Sequence, residues 1–221
     1  MIEVRYLSKS FGDVRALDQV SLSVSAGDSL VILGPSGSGK TTLLRLVAGL
    51  EIPDQGEIFI DGKLASEPGW VLSPYQRGIG FVFQTPALWP HMTVAKNILF
   101  GLNGMPQREA SNRLDELLVQ TGLAGLERRY PSQLSSGQAR RVALARTLAP
   151  KPRGLLMDEP LTNVDPDLKG QLLAMIKKNI GQDGTCLLYV THDADEAREI
   201  SERVLVLKDG CLDATSTQCN N

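Results

Sequence analysis

Residues 29–50 read SLVILGPSGSGKTTLLRLVAGL: an apolar run, a glycine-rich turn and a second apolar run. The first run, Ser29 to Leu33, predicts a buried strand, and the second predicts a helix. Between them, residues 34–41 fit the pattern G-x-x-x-x-G-K-[ST]. A strand, a glycine turn and a helix in this order predict an α/β fold that carries a phosphate-binding loop.

The residue types of this loop suit a triphosphate. Glycine at positions 34, 37 and 39 lets the backbone curl closely, so that several N–H groups can meet phosphate oxygens. The helix that follows presents free N–H groups and a positive dipole end. We expect Lys40 to reach the β- and γ-phosphates and the Thr41 hydroxyl to bind Mg²⁺.

Length and composition favour a soluble globular protein over nucleic-acid-binding, secreted or membrane-spanning classes. The 221 residues suit one large domain, or one domain with a subdomain, and 22% charged with 42% apolar residues is typical of a soluble globular chain. No Lys/Arg-rich run appears, so we expect no nucleic-acid partner. We also expect no secretory signal, no membrane span and reduced thiols in a reducing compartment.

Apolar runs elsewhere predict the rest of the fold. IEVRYL, VSLSV and GEIFIDG suggest strands near the N-terminus, and IGFVF, GLLMDEP, CLLYVTHD and RVLVLKDG suit strands buried on both faces. Residues 93–148 show no strand pattern, and Ala110, Leu114 and Leu117 follow helical spacing. We predict a P-loop NTPase core with a mostly parallel sheet, an N-terminal antiparallel β-subdomain and an inserted α-helical subdomain.

Polar side chains follow three of these runs. Asp158 is placed to hold Mg²⁺ directly or through water, and Glu159 to orient and deprotonate the attacking water. Gln84 could reach Mg²⁺ or the water, and His192 could donate to the γ-phosphate or steady Glu159. Open parallel sheets bind ligands beyond the carboxyl ends of their strands, so we expect these groups to converge. A small-molecule kinase would use the same loop.

A second small polar turn opens the stretch LSSGQARRVALARTLA, residues 134–149. Ser135 and Gln138 make the S-x-x-Q pattern of a capping box, which satisfies free N–H groups at a helix start.

In order, the chain carries GPSGSGKTT, FQ, LSSGQARRVALAR, LLMDEP, LTNVD and THD, and this series resembles the ATP-binding-cassette ATPase family over nearly the whole chain. The resemblance implies a single ATPase domain, residues 1–221, with a catalytic core at about 1–86 and 150–221 and a helical subdomain at about 87–149. In that family two cassettes pair head to tail, and each signature turn faces the phosphate loop of the other subunit. Such a turn would not be explained by a kinase.

The resemblance also implies a role for each motif residue. Phe11 would stack on adenine, Gln84 would contact Mg²⁺ and couple the site to the helical subdomain, and His192 would be the switch histidine. Glu159 would be the general base, and Asp158 would assist Mg²⁺. The residues that would hold the phosphates are Gly34, Pro35, Ser36, Gly37, Ser38, Gly39, Lys40, Thr41 and Thr42. Those that would act in trans are Ser135, Ser136, Gly137, Gln138 and Asp165.

The stretch RGIGFVFQTPALWPHMTVAKNILFGL is similar to ATPases of bacterial importers. That likeness implies a homodimer or a paired cassette subunit, integral-membrane permease subunits, an extracytoplasmic solute-binding protein and a cytoplasmic position on the inner face of the membrane. Trp89, Pro90 and His91 would lie near a groove for a short permease helix. We expect no regulatory β-domain after Asn221. Export, lipid transport or a soluble non-transport role remain alternatives, and no solute is predicted.

Three positions in the signature stretch depart from the family pattern. The usual LSGGQ has glycine where this chain has Ser136, and a Gln-rich pair often follows where this chain has Ala139 and Arg140. If position 136 needs a left-handed backbone, serine would cost ~1–2 kcal/mol. If it only offers an N–H group, serine costs little, and we favour this second interpretation.

Overall fold

The computed structural model describes residues 1–162, 164, 166–180 and 184–213, apart from the side chains of residues 167 and 179. Its strands are β1 (Ile2–Phe11), β2 (Val14–Val24), β3 (Ser29–Leu33), β4 (Gln55–Ile60), β5 (Lys63–Glu67), β6 (Trp70–Val71), β7 (Ile79–Val82), β8 (Gly154–Asp158), β9 (Cys186–Thr191), β10 (Val204–Lys208) and β11 (Cys211–Leu212). Its α-helices are α1 (Lys40–Ala48), α2 (Val94–Leu99), α3 (Gln107–Gln120), α4 (Ser136–Leu148), α5 (Pro166–Asn179) and α6 (Ala194–Ile200).

The strands form two sheets. One sheet has the order β2-β1-β4-β5-β6 and is antiparallel at every neighbouring pair. The other has the order β11-β10-β3-β9-β8-β7, and its pairs β10–β3, β3–β9 and β9–β8 are parallel, whereas β10–β11 is antiparallel. The predicted α/β fold, with an N-terminal antiparallel sheet and a mostly parallel second sheet, is confirmed.

The chain divides into two compact units. The first comprises Met1–Phe81, Arg153–Glu159 and Asn179–Asn221, and the second comprises Val82–Pro152 and Pro160–Lys178. Residues 93–148, all described, contain no strand, as the sequence predicted. Among the described residues, no helix is long and apolar enough to cross a membrane.

The core of the first unit fixes the helix that follows the phosphate loop. Leu43, Leu44, Leu46 and Val47 of α1 are fully buried in one apolar cluster with residues of both sheets. Full burial of each such side chain contributes roughly 1.5–3 kcal/mol. The apolar run of α1, spaced over two turns, therefore holds this helix firmly against the sheets.

Arg77 binds the C-terminal end of α1, in the same unit. Its side chain is 2% exposed, and its guanidinium donates to the carbonyls of Val47 at 2.8 Å, Ala65 at 2.7 Å and Leu72 at 2.9 Å. A further bond goes to the Ser66 hydroxyl at 2.7 Å. Burial lowers the pKa of Arg77 to about 10, yet the side chain stays charged at neutral pH. One buried cation thus ties α1 to β5 and to the turn before β7.

Arg77→Met should lower the free energy of unfolding by about 3–5 kcal/mol, because several buried carbonyls would lose their donor. Urea denaturation measures this change. Arg198→Met is the matched control, since its side chain is 76% exposed and forms a long, 3.6 Å pair with Asp195, and it should change stability by less than about 0.5 kcal/mol. Equal losses in both variants would contradict the structural role of Arg77.

Candidate functional site

The phosphate loop, residues 34–39, joins β3 to α1 in a conformation that requires glycine at its ends. Gly39 has a φ of +104°, and a methyl group there would collide with the carbonyl of Ala16. A methyl group at Gly34 would collide with the carbonyl of Leu207. The loop backbone therefore lies against neighbouring backbone on one side, and side chains at these two positions are excluded.

The start of α1 fits an anionic ligand. No side chain caps this helix, and its first turn contains no acidic residue. The Ser38 hydroxyl oxygen is buried and has no hydrogen-bond partner among the described residues. Free helix N–H groups, the helix dipole and an unpaired buried hydroxyl together suit the oxygens of a polyphosphate.

Lys40, the first residue of α1, is buried at the centre of this site. Its ammonium group donates to the carbonyls of Gly34 at 2.8 Å and Pro35 at 2.9 Å. It also lies 3.2 Å from Oε1 of Glu159, and its side chain is 4% exposed. The other oxygen of Glu159, Oε2, lies 2.9 Å from Nδ1 of His192. The structure thus brings together the loop lysine, the predicted base and the predicted switch histidine.

Glu159 is held in an uncommon backbone conformation. Its φ is +43°, and its N–H donates to the carbonyl of Val190 at 3.0 Å, which continues the β8–β9 pairing by one residue. A non-glycine residue in this region costs roughly 1–2 kcal/mol, and such strain clusters at functional sites. Burial opposes ionisation of the carboxyl, but the hydrogen bond and charge of Lys40, with those of His192, outweigh it and lower the pKa of Glu159.

Asp158, the last residue of β8, lies beside the helix hydroxyl predicted to bind metal. The Thr41 hydroxyl donates to Oδ1 of Asp158 at 3.1 Å. Burial, together with the negative charge of Glu159, raises the pKa of Asp158. The described residues contain no cluster of three or more His, Cys, Asp or Glu suited to a metal. A hydroxyl and one carboxylate fit Mg²⁺, which usually binds through one or two carboxylates plus substrate phosphates.

The other predicted site residues belong to segments of the chain outside the phosphate loop and the ends of β8 and β9. Phe11 ends β1 in the first unit and is 48% exposed, with the Lys9 ammonium 5.5 Å from its ring centroid. It is therefore not a core aromatic, and about half of the residue is accessible. Gln84 and the turn Ser135–Gln138 belong to the second unit. Asp165 lies outside the described residues.

The predicted capping box opens α4. The Ser135 hydroxyl accepts from the N–H of Gln138 at 3.2 Å, and the Gln138 side chain accepts from the N–H of Ser135 at 3.0 Å. Ser136 and Gly137 come between them and precede the first N–H of the helical ladder, so their N–H groups point out of the helix start. Ser136 is part of α4 and has no positive φ. The position therefore needs no left-handed backbone.

Gly137 has a packing reason of its own. A methyl group there would collide with the side chain of Leu168 on α5, in the same unit. Glycine at this position thus allows α4 to start close to α5.

Two buried polar side chains were missed by sequence reasoning. Glu196 on α6 is 4% exposed and accepts from the hydroxyls of Tyr189 and Thr191, each at 2.9 Å, which fixes the strand end before His192. Asn97 on α2 is fully buried and donates to the carbonyl of Met92 at 3.0 Å while accepting from a backbone N–H at 2.9 Å. In the sequence, both resemble ordinary polar residues of a helix.

Fold and site together define a nucleotide-binding P-loop protein built on a mostly parallel sheet. Residues 17–162 match the family model described as ABC transporter. The chain therefore belongs to the ABC transporter family, as its motifs predicted.

Curated relatives are similar over nearly the whole chain. The chain is 45% identical to the sulfate/thiosulfate import ATP-binding protein CysA of Thermosynechococcus vestitus and 44% identical to CysA 2 of Rhizobium meliloti. Each match covers 98% of this chain, but only 64% and 59% of those relatives. The chain thus spans about three fifths of the length of the curated relatives it matches.

Two solved structures share the fold. Both are dimeric forms of the ATP-binding cassette MJ0796, described as a bacterial ABC transporter cassette, and one is a post-hydrolysis state bound to ADP and Pi. Each is 34% identical to this chain and covers 95% of both chains, with TM-scores of 0.84 for the post-hydrolysis form and 0.85 for the other.

Asp158→Asn should raise the resistance of the chain to urea at neutral pH, because it removes a buried charge and keeps an acceptor for Thr41. The direction of this change in stability follows from the raised pKa of Asp158. Below its ordinary pKa of 3.8 the Asp158 carboxyl is protonated, and its contribution to the free energy of unfolding is fully present. This contribution is lost as the pH rises through the raised pKa of the folded state and the buried carboxyl becomes charged.

The difference in the free energy of unfolding between Asp158→Asn and the unmodified chain should therefore become smaller as the pH falls towards 3.8. Exposed Asp13→Asn serves as the control, and its effect should be small at every pH. An Asp158→Asn chain that unfolds at lower urea than the unmodified chain at neutral pH would contradict the destabilising burial of this carboxylate.

Proposed function

We propose that this chain binds ATP and hydrolyses it to power the import of a solute through membrane partner subunits. The observation that carries the proposal is that Glu159 contacts both Lys40, at 3.2 Å, and His192, at 2.9 Å. The glycine loop and the uncapped start of α1 lie directly beside these groups. Relatives named as import ATP-binding proteins support the transport part of the proposal.

In this proposal the phosphate loop holds the β- and γ-phosphates of ATP, and the exposed ring of Phe11 stacks on adenine. Thr41, Asp158 and Gln84 would hold Mg²⁺, which neutralises charge on the phosphates when it is bound. The donor set suits this ion, because a hydroxyl, a carboxylate and an amide oxygen are hard ligands.

Glu159 would accept the proton of the attacking water. Its lowered pKa keeps the carboxylate ionised at neutral pH, as a general base requires. The hydrogen bond between Glu159 and His192 would orient the carboxylate, and Lys40 would stabilise the charge on the phosphates. The reaction is then transfer of the γ-phosphoryl group to water.

A second copy, or a related cassette, would complete the site. The start of α4 offers the N–H groups of Ser136 and Gly137 above its capping box, which is the chemistry of an anion site. We propose that Ser135, Ser136, Gly137 and Gln138, with Asp165, act on the ATP held by the partner subunit. The dimeric forms of the similar cassette MJ0796 support this pairing.

Membrane coupling is proposed for the surface around Trp89 in the second unit. Trp89 is 43% exposed, and its ring centroid lies 5.6 Å from that of Phe100 and 6.2 Å from that of His91. An exposed aromatic cluster suits a short helix of a permease subunit. The chain would then lie on the cytoplasmic face of the membrane, with a solute-binding protein outside, and sulfate or thiosulfate is the first solute to test.

Glu159→Gln should reduce ATP hydrolysis by roughly 100-fold or more while ATP stays bound, because the base is lost but the phosphate contacts remain. Phosphate release and equilibrium nucleotide binding measure the two effects. Glu202→Gln, an exposed residue, is the matched control and should keep the normal rate. Hydrolysis at the normal rate by Glu159→Gln would refute its role, and phosphate transfer to a metabolite instead of water would indicate a kinase.

Ser136→Gly should change the rate of hydrolysis by less than about threefold at any chain concentration. Ser136 already has a right-handed helical backbone, so glycine has no strain to relieve. A large gain in the rate would contradict the interpretation that this position contributes only an N–H group.

A further inference from the structure

Arg140 on α4 connects two segments that are distant in the sequence. One terminal nitrogen of its guanidinium, Nη1, donates to the carbonyl of Gln84 at 3.2 Å and to that of Pro160 at 2.7 Å. The other, Nη2, donates to the carbonyl of Thr162 at 2.8 Å. All of these residues belong to the second unit. One side chain thus holds three backbone carbonyls on two different segments.

Both segments bear directly on the proposed chemistry. Gln84 supplies a proposed Mg²⁺ ligand, and the arginine holds its backbone. Pro160 is bonded covalently to Glu159, the proposed base, which already has a strained backbone. A shift of residues 160–162 would therefore turn the peptide that carries the Glu159 carboxylate. Misplacement by about 1 Å can reduce an enzymatic rate by roughly 100-fold.

Packing beside these segments leaves a small gap, although Pro160 and Leu161 are buried. A small apolar cavity of about 20 Å³ lies beside them, lined by Phe83, Pro86, Leu144, Leu161, Leu172 and Ile176 among others. Arg140 itself lines this cavity. A void leaves the atoms around it without contacts on one side, so the hydrogen bonds from Arg140 add to the packing that positions the two segments.

The geometry requires arginine rather than a generic cation. The carbonyls of Pro160 and Thr162 are spaced two residues apart, and each accepts a hydrogen bond from a different terminal nitrogen of the planar Arg140 guanidinium. Lysine has a single nitrogen and could not span them with the same geometry. Arg146, farther along α4, donates to the carbonyls of Pro86 and Ala87.

We propose that Arg140 is a positioning residue for ATP hydrolysis, which holds residues 160–162 and the backbone of Gln84 against α4. The inference rests on the proposed function. Because α4 begins with the turn Ser135–Gln138, the same helix that would meet the partner's ATP also holds the segment that follows Glu159. Partial burial lowers the pKa of Arg140, but arginine remains charged at neutral pH.

The test compares Arg140→Ala, Arg140→Lys and the control Arg141→Ala in the full chain, with steady-state ATP hydrolysis and equilibrium ATP binding. Arg141 is next to Arg140 on the same helix and is also half-buried, but its bonds to Thr121 and Gln171 are 3.5 and 3.4 Å long, so its loss removes the same charge and only two weak hydrogen bonds. Urea denaturation of each variant separates positioning from general loss of structure.

Arg140→Ala should lower kcat by roughly tenfold or more, with KM and the Kd for ATP changed less than about twofold, because the phosphate loop does not depend on this arginine. Arg140→Lys should recover only part of kcat, and Arg141→Ala should keep it. If Arg140→Ala does not fold, Arg140→Lys decides: a lowered kcat at unchanged KM supports the inference.

Unchanged kcat in Arg140→Lys and Arg140→Ala would overturn the inference, as would an equal loss in Arg141→Ala. These outcomes leave the proposed function intact, because the unmodified chain would still hydrolyse ATP and Glu159→Gln would still abolish hydrolysis. An unmodified chain without ATP hydrolysis would instead overturn the proposed function, and this inference with it.

Discussion

The site depends on the register of three parallel strands. Leu33 of β3 pairs with Thr191 of β9, and Val190 of β9 pairs with Asp158 of β8. The strands therefore end at the same level, and the next residue of each chain segment leaves the same edge of the sheet. This register brings Lys40 and His192 each into contact with Glu159. A slip of one residue would turn the strand side chains to the opposite face and separate these groups.

The start of α4 combines a helix cap with the proposed anion site in a few residues. Its capping box stabilises the helix without using the N–H groups of Ser136 and Gly137, so a stable helix start and an anion site are compatible. Gly137 allows close packing on Leu168, and Arg140 follows one turn later. Because an α-helix is stiff over one turn, a movement of the turn Ser135–Gln138 would also move Arg140 and the carbonyls to which it donates.

Features with a fixed local spacing were predictable from the sequence: the phosphate loop, the strands with a polar residue beyond their ends and the capping box of α4. Contacts that join distant residues were not. Arg77 binds the carbonyl of Val47, 30 residues away, and Arg140 binds that of Gln84, 56 residues away. Since any residue type supplies a carbonyl, such bonds leave no pattern in the sequence. The exposure of Phe11 and the helical backbone of Ser136 likewise became clear only from the structure.

The central claim is that ATP is hydrolysed by a site shared between two cassettes. The rate of phosphate release per chain, measured at saturating ATP and Mg²⁺ over a wide range of chain concentration, tests it most directly. A shared site predicts a rate per chain that rises with concentration and then levels off as pairs form. A rate per chain that stays constant down to concentrations at which the protein is monomeric would contradict the account.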